Sequence, residues 1–223
     1  MSPADRERSG SPGPLRLVAT LALAGLVSGL AIIGIYETTL PTITENKARE
    51  LRAAVFKVLP GVTRMQPLVS RDEGLVVGEP GKDEPVVYGG YDDEGGFVGY
   101  AIPGAGPGFQ DTIGLLYGYT PERRLVLGME ILESRETPGL GDKIYKDAEF
   151  VGAFGALAVD PEIVAVKKGT SAGANEIDAI TGATISSKAV VRIINETHVA
   201  WSERLPPPGT EPAFEPRGDG AEQ

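Results

Sequence analysis

The stretch Asp178-Ala179-Ile180-Thr181-Gly182-Ala183-Thr184-Ile185-Ser186-Ser187-Lys188 sets hydroxyls around a Gly-Ala pair, just where an apolar-periodic run begins. The first N–H groups of a helix have no partner within it, and the helix dipole adds partial positive charge there. A phosphate seated at such a start takes hydrogen bonds from those amides and from the hydroxyls of Thr181, Ser186 or Ser187. The same spacing also fits a plain N-cap, with Thr184 or Ser186 closing the helix and Gly182 allowing the turn.

A second stretch, Ser134-Arg135-Glu136-Thr137-Pro138-Gly139-Leu140-Gly141-Asp142-Lys143, is a tight loop between a strand pattern and a helix pattern. Gly139 and Gly141 let backbone approach a flat ligand closely, with Leu140 as an apolar face between them. It also fits an ordinary Pro-Gly turn with Asp142 capping the next helix. The spacing of a P-loop is missing.

Composition narrows the remaining chemistry. The 223 residues hold 21 Lys and Arg against 31 Asp and Glu, a net charge of −10, which argues against an electrostatic nucleic-acid binder. Cysteine is absent, which excludes thiolate metal sites and Cys-ligated clusters, and a single histidine, His198, leaves little room for His-based metal sites or a Ser-His-Asp triad. His198 reads as a structural or surface residue. Glu133, Glu136 and Asp142 read as solvated loop carboxylates, and Lys167-Lys168 as a solvated strand end. Pro103-Gly104-Ala105-Gly106-Pro107-Gly108 is too proline-interrupted for a dinucleotide fingerprint and reads as a loop.

These residues need elements to hold them. Leu17 to Tyr36 is a 20-residue run without a charge, about 30 Å of helix and enough to cross a bilayer. It exceeds the apolar core of a signal peptide, and the Ala22-Leu23-Ala24 triplet that resembles a cleavage site lies in mid-run. Arg6, Arg8 and Arg16 make the near flank the more basic one, which favours a cytoplasmic N-terminus. Thr42-Ile43-Thr44-Glu45 fits a capping box opening a linker helix that Pro60-Gly61 ends. From about Val62 to Glu133, the runs GLVVG, PVVYGGY, GFVGYAI, TIGLLYGY and RLVLGMEIL read as strands, antiparallel in part. Residues 142–154 read as helix, 162–166 as strand, and a second good helix starts near Thr184, with Val190, Val191, Ile194, His198 and Trp201 along one side. The stretch 205–223 holds five prolines and a net charge of −3, which predicts a disordered tail.

Taken together, the anchor, the Glu136–Gly141 loop and Asp178-x-x-Thr181-Gly-Ala-Thr184-x-Ser186 with its following helix resemble the membrane-anchored FMN-binding subunits of electron-transport complexes. The similarity is greatest to the G subunit of Rnf-type ion-translocating oxidoreductases, with the C subunit of the sodium-translocating NADH:quinone reductase as near relative. It covers roughly residues 15–203. Ser134 stands where that family often has a histidine, and the proline-rich tail lies outside the shared pattern. The resemblance implies FMN carried by a phosphoester on Thr184 and installed by a separate flavin transferase. Asp178, Thr181, Gly182, Ala183, Thr184 and Ser186 would form the transferase's recognition pattern. It further implies cofactor contacts from Thr181, Gly182, Ala183, Ser186, Ser187, Glu136, Thr137, Gly139, Leu140 and Gly141, and partner subunits in the membrane, some bearing iron–sulfur clusters. A covalent tether makes sense physically: FMN held at about 1 μM gains about 8 kcal/mol and still dissociates, whereas an ester makes retention independent of affinity.

The expected protein is therefore α+β. It has an N-terminus at 1–16, a single transmembrane helix at 17–36, a linker helix at 37–61, one mixed α/β FMN-binding domain at 62–204 and a tail at 205–223. It would sit in a bacterial inner membrane with its domain on the periplasmic or outer side. Other function classes remain open on the residues alone: an anchored binding or sensory module in which flavin regulates, or a flavin-free structural module.

Overall fold

A computed structural model describes residues 13–72, 74–81 and 84–216. The expectations for Arg6, Arg8 and the last residues of the tail lie outside the described residues. The chain divides into two compact units, residues 1–49 and 50–223.

The first unit holds most of α1, a helix that runs Pro14–Val58 and is long and apolar enough to cross a membrane. No separate helix starts at Thr42. Pro41 lies inside α1, where it deprives the ladder of a single N–H. The hydroxyls of Thr38 and Thr39 bond back to the carbonyls of Gly34, Ile35 and Tyr36 just before it. The capping-box pattern therefore sits in mid-helix.

The second unit is an α+β domain built on a seven-stranded sheet. Its strands are β1 (Arg64–Arg71), β2 (Gly74–Val77), β3 (Val86–Tyr91), β4 (Phe97–Pro107), β5 (Thr112–Thr120), β6 (Leu125–Glu133) and β7 (Leu157–Ala158). They lie in the order β2-β1-β3-β4-β5-β6-β7, and every neighbouring pair is antiparallel. The five glycine-cut runs are strands, as their spacing predicts, and β1 is an additional one. Alternation along the strands supplies two apolar faces. Tyr100, Ile102, Leu115 and Tyr117 share one buried cluster with Val190, Ile193, Ile194 and Trp201 of α4 (Thr184–Ser202). Ala101 and Leu116 share another with Val55, Val58 and Leu59, at and just past the end of α1.

Pro103–Pro107 is strand, not loop, and its register runs from Pro103 opposite Leu116 to Pro107 opposite Thr112. The reason is steric. A Cβ on Gly104 would lie 2.6 Å from Thr197 Oγ1, and one on Gly106 2.8 Å from Ile193 Cγ1. These glycines let α4 lie directly on the sheet.

Residues 142–154 are also not one helix. They form α2 (Lys143–Lys146) and α3 (Ala148–Gly152), followed by a 3₁₀ turn at Ala153–Ala156. Asp147 divides them, because its extended backbone ends α2 while its carboxylate accepts the amides of Glu149 and Phe150 and caps α3. The strand expected at 162–166 is β8 (Val164–Val166), parallel to β9 (Glu176–Asp178).

The expectation of a disordered tail fails for its described part. The carbonyl of Pro212 accepts a 2.6 Å bond from Tyr91 Oη, and that of Ala213 a 2.8 Å bond from Gln66 Nε2. The amide of Glu215 donates to Gln66 Oε1 at 2.9 Å, and Phe214 packs on Tyr91 with Arg64 over its ring. One aromatic side chain and the paired amide of Gln66 offset an entropy cost that composition alone suggests is prohibitive.

Candidate functional site

The turn before α4 places each hydroxyl of the 178–188 stretch differently. Gly182 has φ +84, a conformation that favours glycine, and it turns the chain into the helix. Ala183 occupies the N-cap position and supplies no side-chain cap, so neither Thr184 nor Ser186 serves as the cap. Thr184 is the first helical residue and is exposed, as are Thr181 and Gly182, while Ala183 is buried.

Ser187 is fully buried. It accepts the amide of Ile180 at 3.1 Å and donates to the carbonyl of Ala183 at 2.9 Å. Its expected contact with a ligand is thus corrected: the hydroxyl braces the turn and faces inward. Ser186 is likewise buried, and its proton goes to Glu136 Oε2 at 2.6 Å, so it too is turned away from a phosphate outside.

That bond joins the two stretches. Glu136, 5% exposed, also accepts the amides of Phe109 and Gln110 through Oε1 at 2.8 and 3.0 Å. Burial alone would raise its carboxyl pKa, but the Ser186 hydroxyl and the loop amides hold it below the usual range. Glu136 is therefore neither a solvated carboxylate nor a free ligand contact. A Cβ on Gly141 would collide with Glu136 Oε2 and lie 3.0 Å from Ser186 Oγ, so packing alone already requires glycine there. Gly139 has φ +79 with open space around it. Thr137 bonds to Gln110 Oε1 at 2.5 Å, and Leu140 is left 52% exposed at the loop tip.

Asp142 is buried, contrary to the reading of a solvated residue. Its Oδ2 accepts Lys146 Nζ at 2.6 Å, whereas its Oδ1 has no partner. The Lys146 bond holds its pKa low. Beside Thr184 opens a cleft of ≈ 300 Å³ lined by Thr181, Gly182 and Thr184 together with Lys167, Lys168 and Lys188. The reading of Lys167-Lys168 as a bare strand end missed this gathering, which β8–β9 pairing creates. Its other trace in the sequence is the spacing of Lys188, four residues after Thr184. Exposed hydroxyls with a lysine-lined cleft alongside fit a ligand that bears a phosphate.

Asp178 ends β9, and its carboxylate accepts the amides of Gly169, Ser171 and Thr170 at 2.8, 3.0 and 3.2 Å. The Gly169 and Ser171 amides in particular hold its pKa low. His198 is half-buried with its ring against Tyr119, and burial lowers its pKa. No cluster of metal ligands occurs among the described residues.

The FMN-binding domain family matches residues 108–198, a span from the Glu136-bonded loop to α4. The chain is 30% identical over 176 residues to the G subunit of the ion-translocating oxidoreductase complex of Methanosarcina acetivorans, covering 79% of this chain and 88% of that protein. It is 32% identical over 188 residues to the G subunit of the Na(+)-translocating ferredoxin:NAD(+) oxidoreductase complex of Acetobacterium woodii, covering 81% and 87%. Among solved structures, NqrC of Shewanella oneidensis superposes with a TM-score of 0.56 at 19% identity, covering 68% of this chain and 91% of that one. That last likeness is one of fold.

Proposed function

Since the chain belongs to the family of G subunits of ion-translocating oxidoreductase complexes, we propose that it relays electrons within such a complex through FMN esterified to Thr184. The observation that carries this reading is the exposed Thr184 hydroxyl at an uncapped helix start beside a lysine-lined cleft. When bound, the flavin supplies the redox chemistry, and the protein supplies placement and electrostatics.

The residues divide the work. Thr184 Oγ bonds to phosphorus as its proton and the leaving group of an activated flavin donor depart, leaving the chain heavier by one FMN minus one water. Thr181, Gly182 and Ala183 keep the approach to that hydroxyl small and open for a flavin transferase. Thr137, Gly139 and Leu140 present the loop tip to the flavin ring, while Glu136 and Ser186 fix the loop against α4. The partners are the membrane and iron–sulfur subunits of the complex and the transferase.

Residues 17–36 form the bilayer-spanning part of α1, and the domain over 62–204 lies outside the cytoplasm, consistent with the basic near flank. Protease protection of the domain in intact cells would reverse that orientation.

Co-expression with the transferase tests the ester. Wild type should gain the mass of one FMN minus water on the peptide containing residue 184, and Thr184→Ala should gain nothing. Full in-gel flavin fluorescence from Thr184→Ala would overturn the assignment.

A further inference from the structure

Cations gather beside Thr184 in a chain whose net charge is −10. Lys188 stands one helical turn after Thr184, so the two side chains share a face of α4. Across the cleft, Lys167 and Lys168 continue from the end of β8. Asp178 builds that wall by holding the amides of residues 169–171. Lys168 is tied to Glu149 at 2.9 Å, while Lys167 and Lys188 make no ion pair among the described residues. Lys188 also borders the groove that contains Glu162 and Glu196, yet it pairs with neither.

A phosphate esterified on both sides keeps one negative charge throughout the physiological pH range. Two unpaired ammonium groups on opposite walls neutralise that charge without closing the cleft, and the amides opening α4 add to them. Before attachment, the same cations raise the local concentration of an anionic donor. We propose that Lys188, with Lys167 across the cleft, is the counter-charge of the phosphoester on Thr184 and steers the anionic flavin donor to that hydroxyl. This rests on Thr184 being the esterified residue. Lys188 is a positioning residue: it holds the phosphate and takes no part in electron transfer.

The test uses the full-length chain in detergent with purified transferase and its flavin donor, and reads the initial rate of covalent incorporation by intact mass at low and high salt. Lys188→Glu should slow incorporation about tenfold at low salt, in the range expected of a steering charge, and Lys188→Gln less. Lys188→Arg should restore it. Added salt should slow the wild type and narrow its lead over Lys188→Gln. A wild-type rate and an unchanged salt dependence in both Lys188→Glu and Lys188→Gln would overturn the inference. Incorporation at the wild-type rate in Thr184→Ala would instead overturn the ester on which it rests. Thermal melts of each unloaded variant exclude loss of fold as the cause of a slow rate.

Discussion

Ser186 donates a 2.6 Å hydrogen bond to Glu136 across 50 residues of chain, and both groups are buried. This bond couples the loop after β6 to the first turn of α4. The same carboxylate holds the amides of Phe109 and Gln110 at the turn between β4 and β5. One acidic side chain thus gathers three segments distant in sequence, and Thr184 is presented from the assembly they form.

Removing either partner should be costly. Ser186→Ala should destabilise the domain by about 1.5–3 kcal/mol, the range for a hydrogen bond to a charged group. Glu136→Ala should cost at least as much, because it also strands two amides. Urea denaturation of both singles and the double variant should show them clearly non-additive. Additive losses would mean the bond contributes nothing by itself.

The pH dependence of stability should carry the sign of Glu136. Its pKa lies below the ordinary value in the folded chain, so its contribution is fully present above the unfolded value. That contribution is lost as pH falls through the lower folded value. Denaturation midpoints should therefore fall with acidification, and Glu136→Gln should flatten part of that fall. An identical pH profile in the variant would contradict the assignment.

The glycines beneath the helices should differ in tolerance. A Cβ on Gly104 meets the end of the Thr197 side chain, whereas one on Gly118 would collide with the carbonyl oxygen of Val58. Gly104→Ala should therefore be the milder change. Gly118→Ala must move backbone, and should cost at least the 1–3 kcal/mol or so typical of overpacking. Equal melting temperatures for the two variants would show that the sheet yields more readily than its contacts imply.

In flavin-loaded protein, Gly139→Val and Gly141→Val should separate two roles of one loop. The first strains a left-handed backbone position at about 1–2 kcal/mol and should alter the flavin spectrum or potential with attachment intact. The second drives a side chain into Glu136 and Ser186, so it should also lower stability. Spectra and potentials matching wild type in both would reduce the loop to a turn.

Much of the domain was legible in the chain itself. Glycine-cut apolar runs gave five strands because strands of a sheet covered on both faces read as short continuous apolar runs bounded by turn residues. The start of α4 near Thr184 was legible, since Gly182 marks the turn. The segment 103–107 was not: its glycines signal a loop unless one knows that Thr197 and Ile193 lie against them. Nor could spacing show that Ser186 and Ser187 face inward while Thr184 faces out, because that division depends on the burial of one side of α4. The lysine-lined cleft required β8 and β9 to pair, a contact between segments separated by a loop with little periodicity.

The contact between Gln66 and the tail has a consequence for synthesis. Gln66 leaves the ribosome 147 residues ahead of Ala213, the carbonyl it binds. The sheet can pair and α4 can dock while its amide is still hydrated, because the strap that covers it follows α4 in the chain. A chain released after residue 211 should present Gln66 and Tyr91 to solvent on an otherwise assembled domain.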